Sequence, residues 1–365
     1  MKAVNYRITP VDPLISRDAR SFGAGNPMHP LKWLSQTVIA GAVRTTLYKA
    51  AEDPDIKAVK QVKIRGSFPL LNERIYFPRP LDIVKSSSSI YQIKPMKDFP
   101  VNSGANMPLD NLMPAQPDSE EDFKPEKLND FWSCDLMVQW LKDGKKGFSL
   151  NDDDTLSAPS HDERIHACIN PETGISQDGN LFSTTGLDFI RRDDTHKTFI
   201  KGQISVDIDA ELPEKFTASI GGERRLAEFA RHDGDKTLWS YPDELPKTFD
   251  DTFRLILASP AIFSNGWLPD WIDEGTLTGI IPNTETTVKL VSAVIERWLP
   301  VSGWGYEHGH TGHKAMRRAV PAGSVYFFEA VKGTLDAKNL WLKSVCCNEQ
   351  DINDGFGLVL IGRGE

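Results

Sequence analysis

Ile204-Ser205-Val206-Asp207-Ile208-Asp209 alternates apolar and polar side chains without a break. Successive side chains of a strand point to opposite faces, so this period of two predicts a half-buried strand, with Asp207 and Asp209 on its wet face. Working outward, Val4-Asn5-Tyr6-Arg7-Ile8 repeats the pattern and stops at Pro10 and Pro13, a first strand. Pro30 suits the first position of a helix, and Leu31, Leu34, Val38 and Ala42 follow at helical spacing toward Ala51. Gly41, in mid-helix, costs about 1 kcal/mol relative to alanine, so a close approach by a sheet or a phosphate backbone is expected on that face. Gln61–Arg65 and Arg74–Phe77 then suit a hairpin around Leu71-Asn72. Ile165–Ile169 and Leu181–Ser183 flank the turn-rich Asn170–Gly174, and Gly221-Gly222-Glu223-Arg224-Arg225 joins a flexible turn to a basic tip.

A second series opens near Asp250. Phe253, Leu255 and Leu257 begin a strand that ends at Pro260, and Val288–Val294, Ser324–Phe328 and Gly357–Ile361 are further β-prone runs. The strand, helix and hairpin pattern at the start is partly echoed here. An α+β chain of two ferredoxin-like domains is therefore expected, one over 1–249 and one over 250–365.

Between Asp98 and Glu163 stand 15 acidic residues against 5 lysines, a local charge of −10 within a chain total of −9. The remainder is thus near neutral, and its basic residues are clustered, so the net charge says little about any one surface. The segment 98–163 carries six prolines and reads as a large acidic, loop-rich insertion in the first domain, with one helix near Asp130–Lys142. No apolar run approaches the roughly 18–20 residues that span a bilayer, which predicts no membrane partner. Met1–Arg7 turns polar too early for a secretory leader, and Cys134, Cys168, Cys346 and Cys347 show no Cys-x-x-Cys spacing. Reduced thiols in a cytoplasmic protein are the expectation.

Catalytic constellations are weak. His308-x-His310-x-x-His313 is the densest histidine group, yet no carboxylate spacing completes a zinc pattern around it. His161-Asp162 and His232-Asp233 are doublets without the distal ligands that a metal-dependent hydrolase needs, and nucleophile elbows and Walker loops are absent. No cofactor, metal or catalytic residue is assigned. Glycine–arginine loops are more informative. Arg224-Arg225 follows Gly221-Gly222; Lys314, Arg317 and Arg318 precede Gly323; and Asp354–Arg363 is rich in glycine. Glycine admits an anion close to backbone N–H groups, and the arginine fork matches phosphate oxygens. Trp267, Trp304, Tyr306, Tyr326 and Phe356 stand near these loops, and single-stranded bases stack on such rings.

These loops carry a family resemblance. Asp12–Phe22, Thr37–Thr45, His166–Asn170 with Gly179-Asn180-Leu181-Phe182, Gly221–Arg225, Pro260–Phe263 with Gly266-Trp267, Pro300–Trp304, Lys314–Glu329 and Gly355–Gly362 occur in the order found in the RAMP superfamily of CRISPR proteins. Specifically, they resemble the subunit of type III-B (Cmr) effector complexes that holds the 5′ tag of the guide RNA. The resemblance implies two RRM-like (RAMP) ferredoxin-like domains, no cofactor and no hydrolytic activity. It also implies three partners: the crRNA 5′ tag, the large polymerase-like Cmr subunit, and the backbone RAMP subunit. Expected RNA contacts are Arg44, His166, Arg224, Arg225, Lys314, Arg317 and Arg318, together with Gly355, Gly357 and Gly362 of the terminal loop. Two other readings remain: a RAMP endoribonuclease acting on precursor or target RNA, and a structural partner whose basic loops face acidic protein.

Overall fold

The computed structural model describes residues 3–23, 26–87, 89–96, 107–119, 122–193, 198–307 and 310–364. It contains few helices and many antiparallel strands, organised as two compact units, each assembled from three stretches of chain. The first unit takes 1–73, 158–233 and 299–317; the second takes 74–157, 234–298 and 318–365. The division expected near residue 250 is therefore replaced by a chain that passes repeatedly between units. Local strand signals mark elements but carry no record of which distant strand each one joins, which is why the sequence reading missed this.

In the first unit, β1 (Val4–Pro10) leads to α1 (Gln36–Ala50) and then to β2 (Ile64–Leu71). A long hairpin follows, β3 (Ser160–Ile169) and β4 (Ser176–Asp188), and then β5 (Gln203–Ile208), β6 (Lys215–Ser219) and β7 (Leu226–Arg231). The antiparallel sheet runs β6-β7-β1-β5-β2. Counting only β1, β2, β5 and β7 as first to fourth, the order is 4-1-3-2. β6 lies between β5 and β7 in the chain and joins the sheet edge beside β7.

Alternation in β5 is confirmed, but not its wet face. Ile204, Val206 and Ile208 join Tyr6, Ile8, Phe229 and the Ile39, Ala40 and Val43 side of α1 in one core. On the other face Asp207 is only 4 % exposed. It accepts from Asn5 Nδ2 at 3.2 Å and pairs with the Arg65 guanidinium. A buried carboxylate is tolerable only when paired in this way. The helix starts at Gln36 rather than Pro30, because the Leu31 amide donates to Ser16 O and His29 O accepts from the Asp18 amide, which keeps 29–31 extended. Ala40 and Ala42 are the small residues that meet the core. Gly41 is exposed with open space around it, so no close neighbour explains it.

The second unit is built on a sheet of β8 (Thr252–Leu257), β9 (Thr278–Ile280), β10 (Thr287–Val294), β11 (Val325–Lys332) and β12 (Val359–Arg363). Its order is β9-β10-β11-β8-β12, antiparallel throughout. Taking β8, β10, β11 and β12 as first to fourth, the 4-1-3-2 order recurs. The segment between β8 and β10 contributes no crossover helix. Its helix comes from the stretch expected to be a solvated insertion. Phe131–Ser133 is a strand, Ser133 accepts from the Leu136 amide, and the helix α2 runs Cys134–Asp143. Phe131, Trp132, Leu136, Met137, Trp140 and Leu141 are all buried. The acidic segment therefore supplies core to the second unit through its buried Phe131, Trp132 and Trp140. Part of it, 98–106 and 120–121, lies outside the described residues.

Candidate nucleic-acid interface

The loop Asp12–Phe22 organises one surface of the first unit. Leu14 exchanges backbone hydrogen bonds with Leu187 of β4 at 3.0 and 2.8 Å, which fixes the start of the loop. Ser16, 1 % exposed, accepts from the Ser35 amide at 3.0 Å and so ties the loop to the entrance of α1. Ile15 O accepts from the Gly222 amide at 3.0 Å. A Cβ on Gly221 (φ +72°) would lie 2.1 Å from that same oxygen, so only glycine fits there. Gly221 and Gly222 are therefore the floor on which the basic turn rests.

Beyond that floor, the Arg225 amide donates to Gly222 O at 3.4 Å, closing a four-residue turn. Its central residues, Glu223 and Arg224, have φ of +56° and +51°. Both lie in the left-handed region, the pattern of a type I′ turn, for which Asn-Gly is the favoured pair. Each such non-glycine residue costs about 1–2 kcal/mol. Glu223 and Arg224 are exposed, Arg225 is half-buried, and the Arg225 Nε has no hydrogen-bond partner among the described residues.

A second basic element also approaches the start of α1. Trp304–Glu307 and His310–His313 form a hairpin that pairs Trp304 with His313 and Gly305 with Gly312. The Lys314 amide donates to Gly303 O at 2.8 Å, and a Cβ on Gly305 would lie 3.3 Å from Lys314 Cγ, so the lysine stem runs along the hairpin glycine. Gly303 in turn approaches Thr37, while Gly221 approaches Val38. The two basic elements thus both approach the first turn of α1, which has no acidic residue and no side-chain cap. Its partial positive charge adds to theirs. Trp304 is 54 % exposed beside them.

The expected contacts divide accordingly. Arg224, Arg225 and Lys314 belong to the first unit, on segments whose glycines approach Val38 and Thr37 of α1, and Arg317 belongs to the same unit, half-buried and already in an interaction of its own. Arg318 belongs to the second unit, where its guanidinium lies over the Trp298 ring at 5.0 Å. Arg44 donates from Nη2 to Val62 O at 3.1 Å, a bond that ties α1 to the approach of β2. His166 stacks on Phe182 at 5.0 Å, and its Nε2 lies 2.8 Å from Thr184 Oγ1 on the half-exposed face of the β3–β4 hairpin. Ile165, Ile169 and Leu181 are exposed on the opposite face.

The terminal glycine loop does not present the anion cradle expected of it. Gly355, Gly357 and Gly362 are all buried. Every amide from 355 to 359 is already bonded within the second unit: to Ile352 O, Asp351 O, Pro260 O, Ser259 Oγ and Lys343 O. Gly355 ends the helix Glu349–Asp354 with φ +87°, a left-handed cap. A Cβ on Gly357 would meet Cys346 Sγ at 2.6 Å, and one on Gly362 would meet Leu141 of α2 at 2.7 Å. Close packing accounts for these glycines, and a sequence cannot distinguish that need from backbone approach to phosphate. His308 and Gly309 lie outside the described residues. Asp162 pairs with Arg164 and Asp233 with Arg231, so both His-Asp doublets have committed carboxylates.

Sequence reasoning did not single out Ile15, Ser16 and Thr37. The Gly221-Gly222 dipeptide was the available sign that a second segment lies against the turn.

The family model described as "CRISPR-associated protein (Cas_Cmr3)" matches residues 6–364, nearly the full length. The chain belongs to the Cas_Cmr3 family. Solved structures are similar at low identity. One is a chain of a type III-B Cmr-β complex bound to cognate target RNA and AMPPnP: 14 % identity, TM-score 0.49, covering 88 % of this chain and 86 % of that one. The same complex bound to cognate target RNA alone gives 15 % and 0.49, with the same coverage. A chain of a Csm3–Csm4 subcomplex from a type III-A interference complex gives 11 % and 0.34, covering 92 % of this chain and 97 % of that one. Comparison with curated proteins finds no match. Among the described residues of this Cas_Cmr3 chain, no helix is long and apolar enough to cross a membrane.

Proposed function

We propose that this chain is a non-catalytic RNA-binding subunit of a type III-B (Cmr) effector complex, anchoring the 5′ tag of the crRNA. In that assembly it docks the large polymerase-like subunit onto the backbone RAMP subunits, and its two units are ferredoxin-like variants. Family membership supports the setting. The observation that carries the RNA reading is the glycine floor at Gly221-Gly222, locked under Ile15, which holds the Arg224-Arg225 turn against the start of α1, where the segment that carries Lys314 also approaches. Such a surface suits single-stranded RNA: the cations hold phosphates and the exposed Trp304 ring offers a stacking face.

The competing endoribonuclease reading separates cleanly. Incubating the purified chain with labelled tag-bearing precursor RNA, with and without divalent metal, is expected to give salt-sensitive binding and intact RNA. Specific fragments that disappear with a His166 variant would establish the enzyme instead.

A further inference from the structure

Phosphate contacts position a nucleic acid, whereas contacts to base edges specify it. The turn Gly222–Arg225 carries groups for both tasks. Arg224 and Arg225 are cations suited to the backbone, but Glu223 between Gly222 and Arg224 is an anion that phosphate repels. Glu223 is exposed, has no ion-pair or hydrogen-bond partner among the described residues, and sits at φ +56° where asparagine or glycine would fit more easily. Folding does not explain it, since its side chain makes no such bond and its backbone is strained. Backbone strain retained at an exposed tip points to a ligand.

We propose that Glu223 is a base-reading residue that selects a guanosine at one position of the bound RNA. This rests on the RNA-binding reading above. A carboxylate offers two acceptor oxygens and no donor. The Watson–Crick edge of guanine presents N1–H and the N2 amino group side by side, two donors that match it. Cytosine and adenine place an acceptor beside their single amino group, and uracil flanks its N3–H with two carbonyls. Unpaired bases of single-stranded RNA are read on these edges. Arg224 and Arg225 would hold the flanking phosphates and bring the base edge within reach of Glu223.

The test uses the full chain and short oligouridylates that carry a single guanosine or inosine at successive positions. Inosine lacks the N2 amino group. The wild-type chain is expected to favour guanosine over inosine at one position by roughly tenfold, the discrimination typical of a bidentate base contact. Glu223→Gln, which replaces one acceptor with a donor, is expected to abolish that preference. Glu223→Asn, which suits the left-handed backbone at this position, is expected to raise Tm while also losing it, which excludes misfolding as the cause. A preference that survives Glu223→Gln, one absent from the wild type, or an equal loss on every oligomer would overturn the proposal. Failure of the wild-type chain to bind any of these oligomers would overturn the RNA reading itself, a distinct result.

Discussion

Arg254→Ala is expected to cost about 3–5 kcal/mol of stability, the loss typical when a buried ion pair is broken on one side. Arg254 and Asp82 are 1 % and 0 % exposed, with Nε and Oδ2 3.0 Å apart. The guanidinium also donates to Trp140 O at 2.6 Å and to Arg363 O at 2.5 Å, and Trp140 Nε1 donates to the other Asp82 oxygen at 2.9 Å. One side chain therefore fastens α2, β8 and β12 around a single carboxylate. Burial pushes the Asp82 carboxyl above its ordinary value even with Arg254 beside it. Removing Arg254 raises it further and leaves a group that prefers to be protonated in the folded state. The defect should consequently be smallest at low pH, where Asp82 is protonated with or without Arg254, and grow as pH rises through the raised folded-state value of Asp82. Replacing both partners, Asp82→Leu with Arg254→Met, should recover only part of the loss, because it removes the unpaired buried charge but leaves the buried Trp140 Nε1 without its acceptor. Urea unfolding followed at several pH values checks all three outcomes; a single-variant loss below about 1 kcal/mol would show that the pair is not what holds α2.

The largest expected effect on binding comes from Arg224→Ala, Arg225→Ala and Lys314→Ala together. Each phosphate neutralised on a single strand contributes about 0.7 to the slope of log affinity against log salt, so losing three contacts should lower that slope by about 2. At 0.1 M salt, a decade below the 1 M reference, this corresponds to roughly a hundredfold weaker binding. The three side chains lie at the rim of the first unit and none closes its core, so Tm should change little. A slope that stays at the wild-type value would remove these residues from the RNA contact.

Local pattern made the strands legible. Alternation at Ile204–Ile208 and the apolar runs at Phe253–Leu257, Val288–Val294 and Ser324–Phe328 each fall in or against an observed strand. Which segments pair was hidden, because Trp132 and Trp140 sit in an acidic stretch whose charge pattern outweighed their apolar surface. The same limit governed the site. Arg224 and Arg225 stand out in the sequence because glycine and arginine adjoin there, whereas Ser16 and Thr37 act only through folded contacts. Gly357 and Gly362 misled for a physical reason: a glycine required by Cys346 or Leu141 looks like one required by a phosphate.

Photocrosslinking of tag-bearing guide RNA to the full chain, with adducts mapped by mass spectrometry, tests the central claim most directly. Adducts within 12–22, 219–226 and 303–317 are predicted, Trp304 foremost among them. Adducts confined to 355–363, or spread over the surface without preference for these three segments, would contradict it.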